Sequence, residues 1–217
     1  MSDQLAMSDQ PAMSSGVSAV SGVSVSGVLV PVKAFDEAKT RLSSALDAQR
    51  RAHLATVLAT NTVSAQAGLD VAVVCDDERV AKWATGLGVQ VLHSDEPGLN
   101  SAVVAATLAL RAQGWSRVAI VHTDLPLVRS LAPLLTSAGV VIVPDRHGLG
   151  TNVLVVPTDV GFRFAYGPGS YGAHVHEAHR LGLGLRIVAD RDLGWDIDEP
   201  GDLTARALPD AIASVLT

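Results

Sequence analysis

The chain has 217 residues, a formal net charge of −6 and one cysteine. A chain of this length buries roughly 70% of its unfolded surface, so a core forms without disulfide staples. The acidic balance excludes a nucleic-acid backbone as partner, because that binding draws on clustered Lys and Arg to release counterions, and leaves a small anion as ligand if the few cations converge.

Residues 1 to 26 read as a leader. MSDQLA is followed by MSDQPA, then by Ser, Gly and Val in short alternation without aromatic or basic residues. Such a segment is predicted to be disordered, and Met1, Met7 and Met13 are all candidate starts. It lacks the basic flank and sustained apolar centre of a secretory signal. No stretch approaches the ~18 apolar residues of a membrane span, so no membrane partner is expected and the cytoplasm is the expected compartment.

Residues 27 to 217 read as one domain. Brief runs rich in β-branched residues predict strands over Val28–Val32, Val71–Cys75, Val89–Leu92, Val118–His122, Val140–Val143, Val153–Val156 and Leu185–Val188. Helical segments are predicted over Ala48–Ala67, Arg79–Thr85 and Ser101–Gln113, the first with Leu54, Val57, Leu58 and Val63 at helical spacing. The alternation predicts an α/β fold with a mainly parallel sheet covered on both faces. Ligands of such sheets bind beyond the carboxyl ends of the strands, so the residues that follow each run come first. Cys75, inside an apolar run, reads as a small buried hydrophobe.

After the first run, Lys33, Lys39 and Arg41 fall within nine residues, ahead of a helix. Cations at a strand end suit a triphosphate, although the same loop in isolation reads as a solvated basic turn. No Walker-type glycine–lysine loop is present, which excludes a P-loop ATPase. Asp124 follows the fourth run and precedes Leu125-Pro126, so its carboxylate emerges at the sheet edge, where magnesium, a cation of hard oxygen ligands, is usually bound. Asp196 and Asp198 share a face if their stretch is extended; the alternative is that Asp198 and Pro200 start the last helix.

The loop Asp145 to Asn152 offers glycines for close approach of an anion and the Thr151 hydroxyl to bind it. Further on, Gly167-Pro168-Gly169-Ser170 precedes a helix that Ser170 is expected to cap. Alone, each is an ordinary turn; together they suggest a second anionic substrate. His174, His176 and His179 do not make a zinc site, since only the last two share a helix face and no cysteine is near. Gly182-Leu-Gly184 reads as a turn.

With these residues in view, the chain resembles the guanylyltransferases of deazaflavin coenzyme F(420) biosynthesis. The matching segments are LVPVKAFDEAKTRL, EPGLNSAV, HTDLP, DRHGLGTNVL, YGPGSYGAH and DIDEPGDL, in family order from Leu29 to Leu203. The resemblance implies a Rossmann-like nucleotidyltransferase fold, a mixed, mainly parallel sheet with helices on both faces. It implies transfer of GMP from GTP to phosphoenolpyruvate, 2-phospho-L-lactate or 3-phospho-D-glycerate with release of pyrophosphate. Carried over by residue, Asp124, Asp196 and Asp198 look like ligands of Mg2+. Lys33, Lys39, Arg41 and Asn100 look like part of the GTP site, the three cations also neutralising charge in the reaction. Thr151, Gly167 and Ser170 look like the pocket for the small phosphorylated carboxylic acid. The chain departs from some relatives at Gly148-Leu149-Gly150-Thr151, where they have Gly-Thr-Gly-Thr, and at Ala173, where they have Arg. Phosphoenolpyruvate is the expected acceptor, the Ala/Val-rich composition suiting a bacterial source.

The rival readings are a molybdopterin-type or sugar-nucleotide-forming transferase, whose usual glycine-rich opening loop is missing here, and a catalytically silent nucleotide-binding module. A homodimer is left open, and Asp76 and Asn100 carry hydrogen-bonding groups suited to guanine without being placed at the base.

Overall fold

The computed structural model describes residues 25–217. The leader as far as residue 24 lies outside them. Val25 and Ser26, read as its last residues, instead belong to the first strand, where Val25 pairs with Trp115.

In chain order the elements are β1 Val25–Pro31, α1 Ala48–Ser64, β2 Asp70–Cys75, α2 Glu78–Gly86, β3 Gln90–His93, α3 Leu99–Ala112, β4 Trp115–Val121, α4 Ala132–Leu135, β5 Val140–Pro144, β6 Thr151–Pro157, α5 Ser170–Arg180, β7 Leu185–Ile187, α6 Asp202–Ala205 and α7 Asp210–Leu216. Two short 3-10 turns, Phe35–Glu37 and Thr40–Ser44, follow β1. Each apolar run predicted as a strand is one, and the three predicted helices stand within a few residues of their predicted ends. The Asp47 and Asp77 side chains start α1 and α2 by accepting backbone N–H groups of the first turn.

The seven strands form one sheet in the order β3-β2-β1-β4-β6-β5-β7. The β3, β2, β1 and β4 strands are mutually parallel, and β5 is parallel to β7. Only β6 runs against its neighbours, β4 and β5. Its direction puts Thr151, at its start, on the same edge as Val121, at the end of β4.

Alternate strand residues enter opposite layers, as a period of two requires. Val28, Val30, Val73 and Val121 pack with Val63 of α1, Val80 of α2 and Leu134 of α4. Leu29, Val74 and Ile120 pack with Val103 and Leu110 of α3 and Ala178 of α5. A third cluster lies beyond the sheet edge, where Leu42, Leu46, Leu54, Leu58, Ile212 and Val215 enclose Ile197. It anchors the Asp196–Asp198 stretch to the basic loop after β1.

Candidate active site

A cleft of about 380 Å³ opens at the carboxyl ends of β1, β2 and β4. Lys33, Lys39, Asp76, His122, Asp124 and Asp198 are among its walls. The floor near β1 and β2 is apolar, with Val32, Val74 and Cys75, and burial raises the thiol of Cys75 above its ordinary range. Cys75 is buried, as its setting in the sequence implies.

Lys39 organises this edge. Its Nζ donates to Asp124 Oδ2 at 3.0 Å and to the carbonyl of Ile197 at 2.5 Å. The Ile197 N–H in turn donates to the carbonyl of Asp124 at 3.0 Å. One lysine therefore joins segments 85 and 158 residues away along the chain. Its backbone is left-handed, with φ 56°, the sole such non-glycine among the described residues. That conformation costs an L-residue roughly 1–2 kcal/mol, and strain of this kind is retained where a side chain must be aimed. Arg41 pairs with Asp198 through Nη1 and remains largely exposed.

The carboxylates differ in their charge environment. Burial pushes the Asp124 carboxyl up, but the Lys39 ammonium and hydrogen bonds together hold it below its ordinary range. The Asp196 carboxyl is raised, first by burial and then by the nearby charge of Asp124. Asp196 Oδ1 is buried without a hydrogen-bond partner, although Arg146 Nη1 lies 3.6 Å away. Buried polar atoms are normally satisfied, so an orphaned carboxylate oxygen beside a second carboxylate fits the donor set of a hard divalent cation. Among the described residues no group of three or more His, Cys, Asp or Glu side chains is arranged around one metal position. A cation here would have two carboxylates, Asp124 and Asp196, as its protein ligands.

Asp198 does not cap the last helices. Gly201 precedes α6, and Asp202 Oδ2 instead accepts the N–H groups of Asp198 (2.9 Å) and Glu199 (2.7 Å). Ile197 points into its apolar cluster between the two aspartates.

The loop at Asp145 also differs from its expected form. Its N–H groups meet an anion, but the anion is the loop's own: Asp145 Oδ1 accepts from His147 and Leu149, and Oδ2 from Gly150. A Cβ on Gly150 would lie 2.7 Å from Asp145 Oδ2, so this folding-back requires glycine. The loop is thus a rigid mount for Thr151. Ser170 does not cap α5 either; Gly169, left-handed with φ 79°, holds that position. The buried Ser170 hydroxyl turns back to Thr151 Oγ1 at 3.4 Å. Gly167, with φ 129°, accepts the Ser170 N–H on its carbonyl.

His174 completes this corner. Its Nε2 accepts the Ala165 N–H at 3.0 Å, so Nδ1 carries the proton and donates to Thr151 Oγ1 at 3.0 Å. Burial lowers its pKa to about 4, which keeps the ring neutral. Thr151 accepts there and retains its own O–H to donate. His176 and His179 are exposed.

Sequence reasoning did not anticipate Tyr166. Its ring stands between those of His122 (5.2 Å) and His174 (4.9 Å), joining the Asp124 strand to the Thr151 corner. Asn100 holds the Tyr166 backbone on both sides, accepting its N–H at 2.7 Å and donating to its carbonyl at 3.1 Å. Those bonds occupy both ends of the Asn100 amide, so its position is that of a brace for the segment leading to Gly167. Replacing Asn100 by Ala is expected to raise the KM of the acceptor substrate more than that of the nucleotide; the reverse order in steady-state kinetics would place Asn100 on the nucleotide.

The fold matches proteins of known structure. A candidate nucleotide-diphospho-sugar transferase from Desulfovibrio desulfuricans G20 has a TM-score of 0.72 at 18% identity, covering 89% of this chain and 97% of that one. A nucleotidyl transferase from Methanothermobacter thermautotrophicus has a TM-score of 0.58 at 18% identity over 85% and 96% of the two chains. A glucosyl-3-phosphoglycerate synthase from Mycobacterium tuberculosis, solved with Mn2+ and uridine diphosphate, has a TM-score of 0.54 at 16% identity over 89% and 76%. The fold is the Rossmann-like α/β fold of nucleotidyltransferases.

The family follows from sequence. Residues 26–208 match the model described as "Guanylyl transferase CofC like". A phosphoenolpyruvate guanylyltransferase from Rubrobacter xylanophilus is 34% identical over 184 residues, 81% of this chain and 90% of the relative. One from Streptomyces coelicolor is 37% identical over 188 residues, 81% and 87% of the two chains. A 2-phospho-L-lactate guanylyltransferase from Methanothermobacter thermautotrophicus is 34% identical over 184 residues, 81% of each. The chain belongs to the CofC-like guanylyltransferase family.

Proposed function

We propose that this protein transfers GMP from GTP to phosphoenolpyruvate and releases pyrophosphate, a step of coenzyme F(420) biosynthesis in the cytoplasm. The observation that carries the reading is the joining of Lys39, Asp124 and the Asp196–Asp198 stretch at one sheet edge, between the cleft that Lys33 and Lys39 line and the Thr151 corner.

A phosphate oxygen of the acceptor attacks the α-phosphorus of GTP. The bond to the bridging oxygen of the β-phosphate breaks on the opposite side, and pyrophosphate carries the charge away. A phosphate monoester, with a second pKa of ~6, is already ionised at neutral pH, so the nucleophile needs no base. The histidines agree with this: burial holds His122 below its ordinary range as well as His174, and both remain neutral. The chain aligns the reactants and offsets charge. Lys33 and Arg41 flank the triphosphate, Lys39 fixes the carboxylates, and Thr151, Gly167 and Ser170 seat the phosphorylated acid. Asp124 and Asp196 would hold Mg2+, with Asp198 beside them; such an ion supplies charge stabilisation on the phosphate oxygens.

The archaeal relative named for 2-phospho-L-lactate is as similar as the first bacterial one, so that acid is the second candidate acceptor and 3-phospho-D-glycerate the third. Pyrophosphate release with GTP and each acid in parallel decides among them, and no release with any of the three would refute the reading. Ser170→Ala is expected to raise the acceptor KM by about 10-fold, the scale of one lost hydrogen bond to a charged group, and to leave the GTP KM near its native value. An unchanged acceptor KM removes Ser170 from that pocket.

A further inference from the structure

Arg146 lies in the loop between β5 and β6, and Asp202 opens α6. Neither lines the cleft, yet they meet behind the aspartate stretch. Arg146 Nη1 donates to the Asp196 carbonyl at 2.7 Å, and Nη2 donates to Asp202 Oδ1 at 2.7 Å. The other Asp202 oxygen, which accepts the Asp198 and Glu199 N–H groups, closes the turn from the far side. Both acidic positions are thus held through their backbone by one pair, in which Asp202 is buried and Arg146 reaches it from the surface.

The contact extends along the loop. Asn152 Nδ2 donates to the Leu193 carbonyl at 3.0 Å. A Cβ on Gly194 would come within 2.6 Å of the Asp190 carbonyl, so its own turn requires glycine, and would stand 3.3 Å from the Pro144 carbonyl of the other segment, a tight contact. The segment that mounts Thr151 and the segment that presents Asp196 are thus joined by hydrogen bonds and a close backbone approach.

We propose that Arg146 and Asp202 are positioning residues: a clamp that sets Asp196 and Asp198 in register with Asp124 and ties that register to the acceptor corner. The register serves the guanylyl-transfer reading above, on which the role in turnover rests. A guanidinium fork spans two acceptors at once, and a lysine head on a flexible stem does not reproduce that geometry. Arg146→Lys therefore keeps the charge and loses the span. Asp202→Asn retains an oxygen for the Asp198 and Glu199 N–H groups and loses the ion pair.

The test uses the full-length chain in two arms. In the first, amide hydrogen exchange without added metal is followed in a peptide spanning residues 194–203. In the second, kcat, the Mg2+ concentration for half-maximal rate and the KM for GTP at saturating Mg2+ are measured. Both variants are expected to exchange the 196–199 amides about 10-fold faster, as local opening requires, with the rest of the chain unchanged. Partners that orient metal ligands affect metal affinity or activity by about 10- to 100-fold, so the half-maximal Mg2+ should rise or kcat fall by that factor. The KM for GTP should stay near native. Native exchange in both variants overturns the clamp, as does faster exchange with native kcat and Mg2+ dependence, or faster exchange throughout both proteins. A native chain that releases no pyrophosphate from GTP would instead sink the guanylyl-transfer reading, while the exchange arm still decides whether the pair holds the turn.

Discussion

Asp124→Asn is expected to give a folded protein whose pyrophosphate release from GTP is slower by at least roughly 10³-fold, about 4 kcal/mol of barrier. The amide retains an oxygen for Lys39 Nζ, so the edge keeps its shape. What disappears is the charge that sits beside Lys39 and opposite Asp196. The same substitution lowers stability. The Asp124 carboxyl is held below its ordinary range in the fold, so its charge stabilises the protein above the unfolded pKa, and that contribution fades as pH falls through the folded value. A loss of about 1–3 kcal/mol corresponds to a lower Tm at neutral pH. Circular dichroism and thermal melts check the fold, and near-native turnover would remove Asp124 from the mechanism.

Asp196→Asn should match that loss of turnover but move stability the other way. Its carboxyl is raised in the fold by burial and by Asp124, and one oxygen has no partner. The charged form is therefore a burden above the folded pKa, and the burden vanishes once pH falls below the unfolded value. Removing it is expected to raise Tm by about 2–4 °C, the shift for ~1 kcal/mol in a domain of this size, with the gain largest at neutral pH and shrinking toward acid. Loss of activity with gain of stability marks a site kept strained for use. If both melts fall together, Asp196 is a structural residue.

Much of this was legible in the linear chain, for definite reasons. The strands are short β-branched runs because a sheet covered on both faces buries every residue of Val28–Val30 and Val118–Val121. Lys39, Asp124 and Asp198 stood out because each follows such a run or sits near a proline-marked turn. The partners that hold them did not stand out. Arg146 meets Asp202 across 56 residues and Asn100 meets Tyr166 across 66, and no spacing rule spans such distances. Asp145 looked like a bystander in a glycine-rich loop, because nothing local says that a carboxylate will fold back and absorb its own neighbours' N–H groups. Ser170 looked like a helix cap because Ser favours that position; the left-handed Gly169 takes it, which frees the hydroxyl to turn inward.

The lone reversed strand has a practical meaning. Because β6 starts at the reactive edge, where its neighbours end, Thr151 and Ser170 hang from one hairpin and the helix beside it, whereas the cations after β1 belong to another part of the chain. On the guanylyl-transfer reading proposed above, recognition of the incoming acid is retuned at the tip of that hairpin, around Leu149, with the donor half left intact. On that same reading, small local edits suffice for one scaffold to diversify among phosphorylated acids.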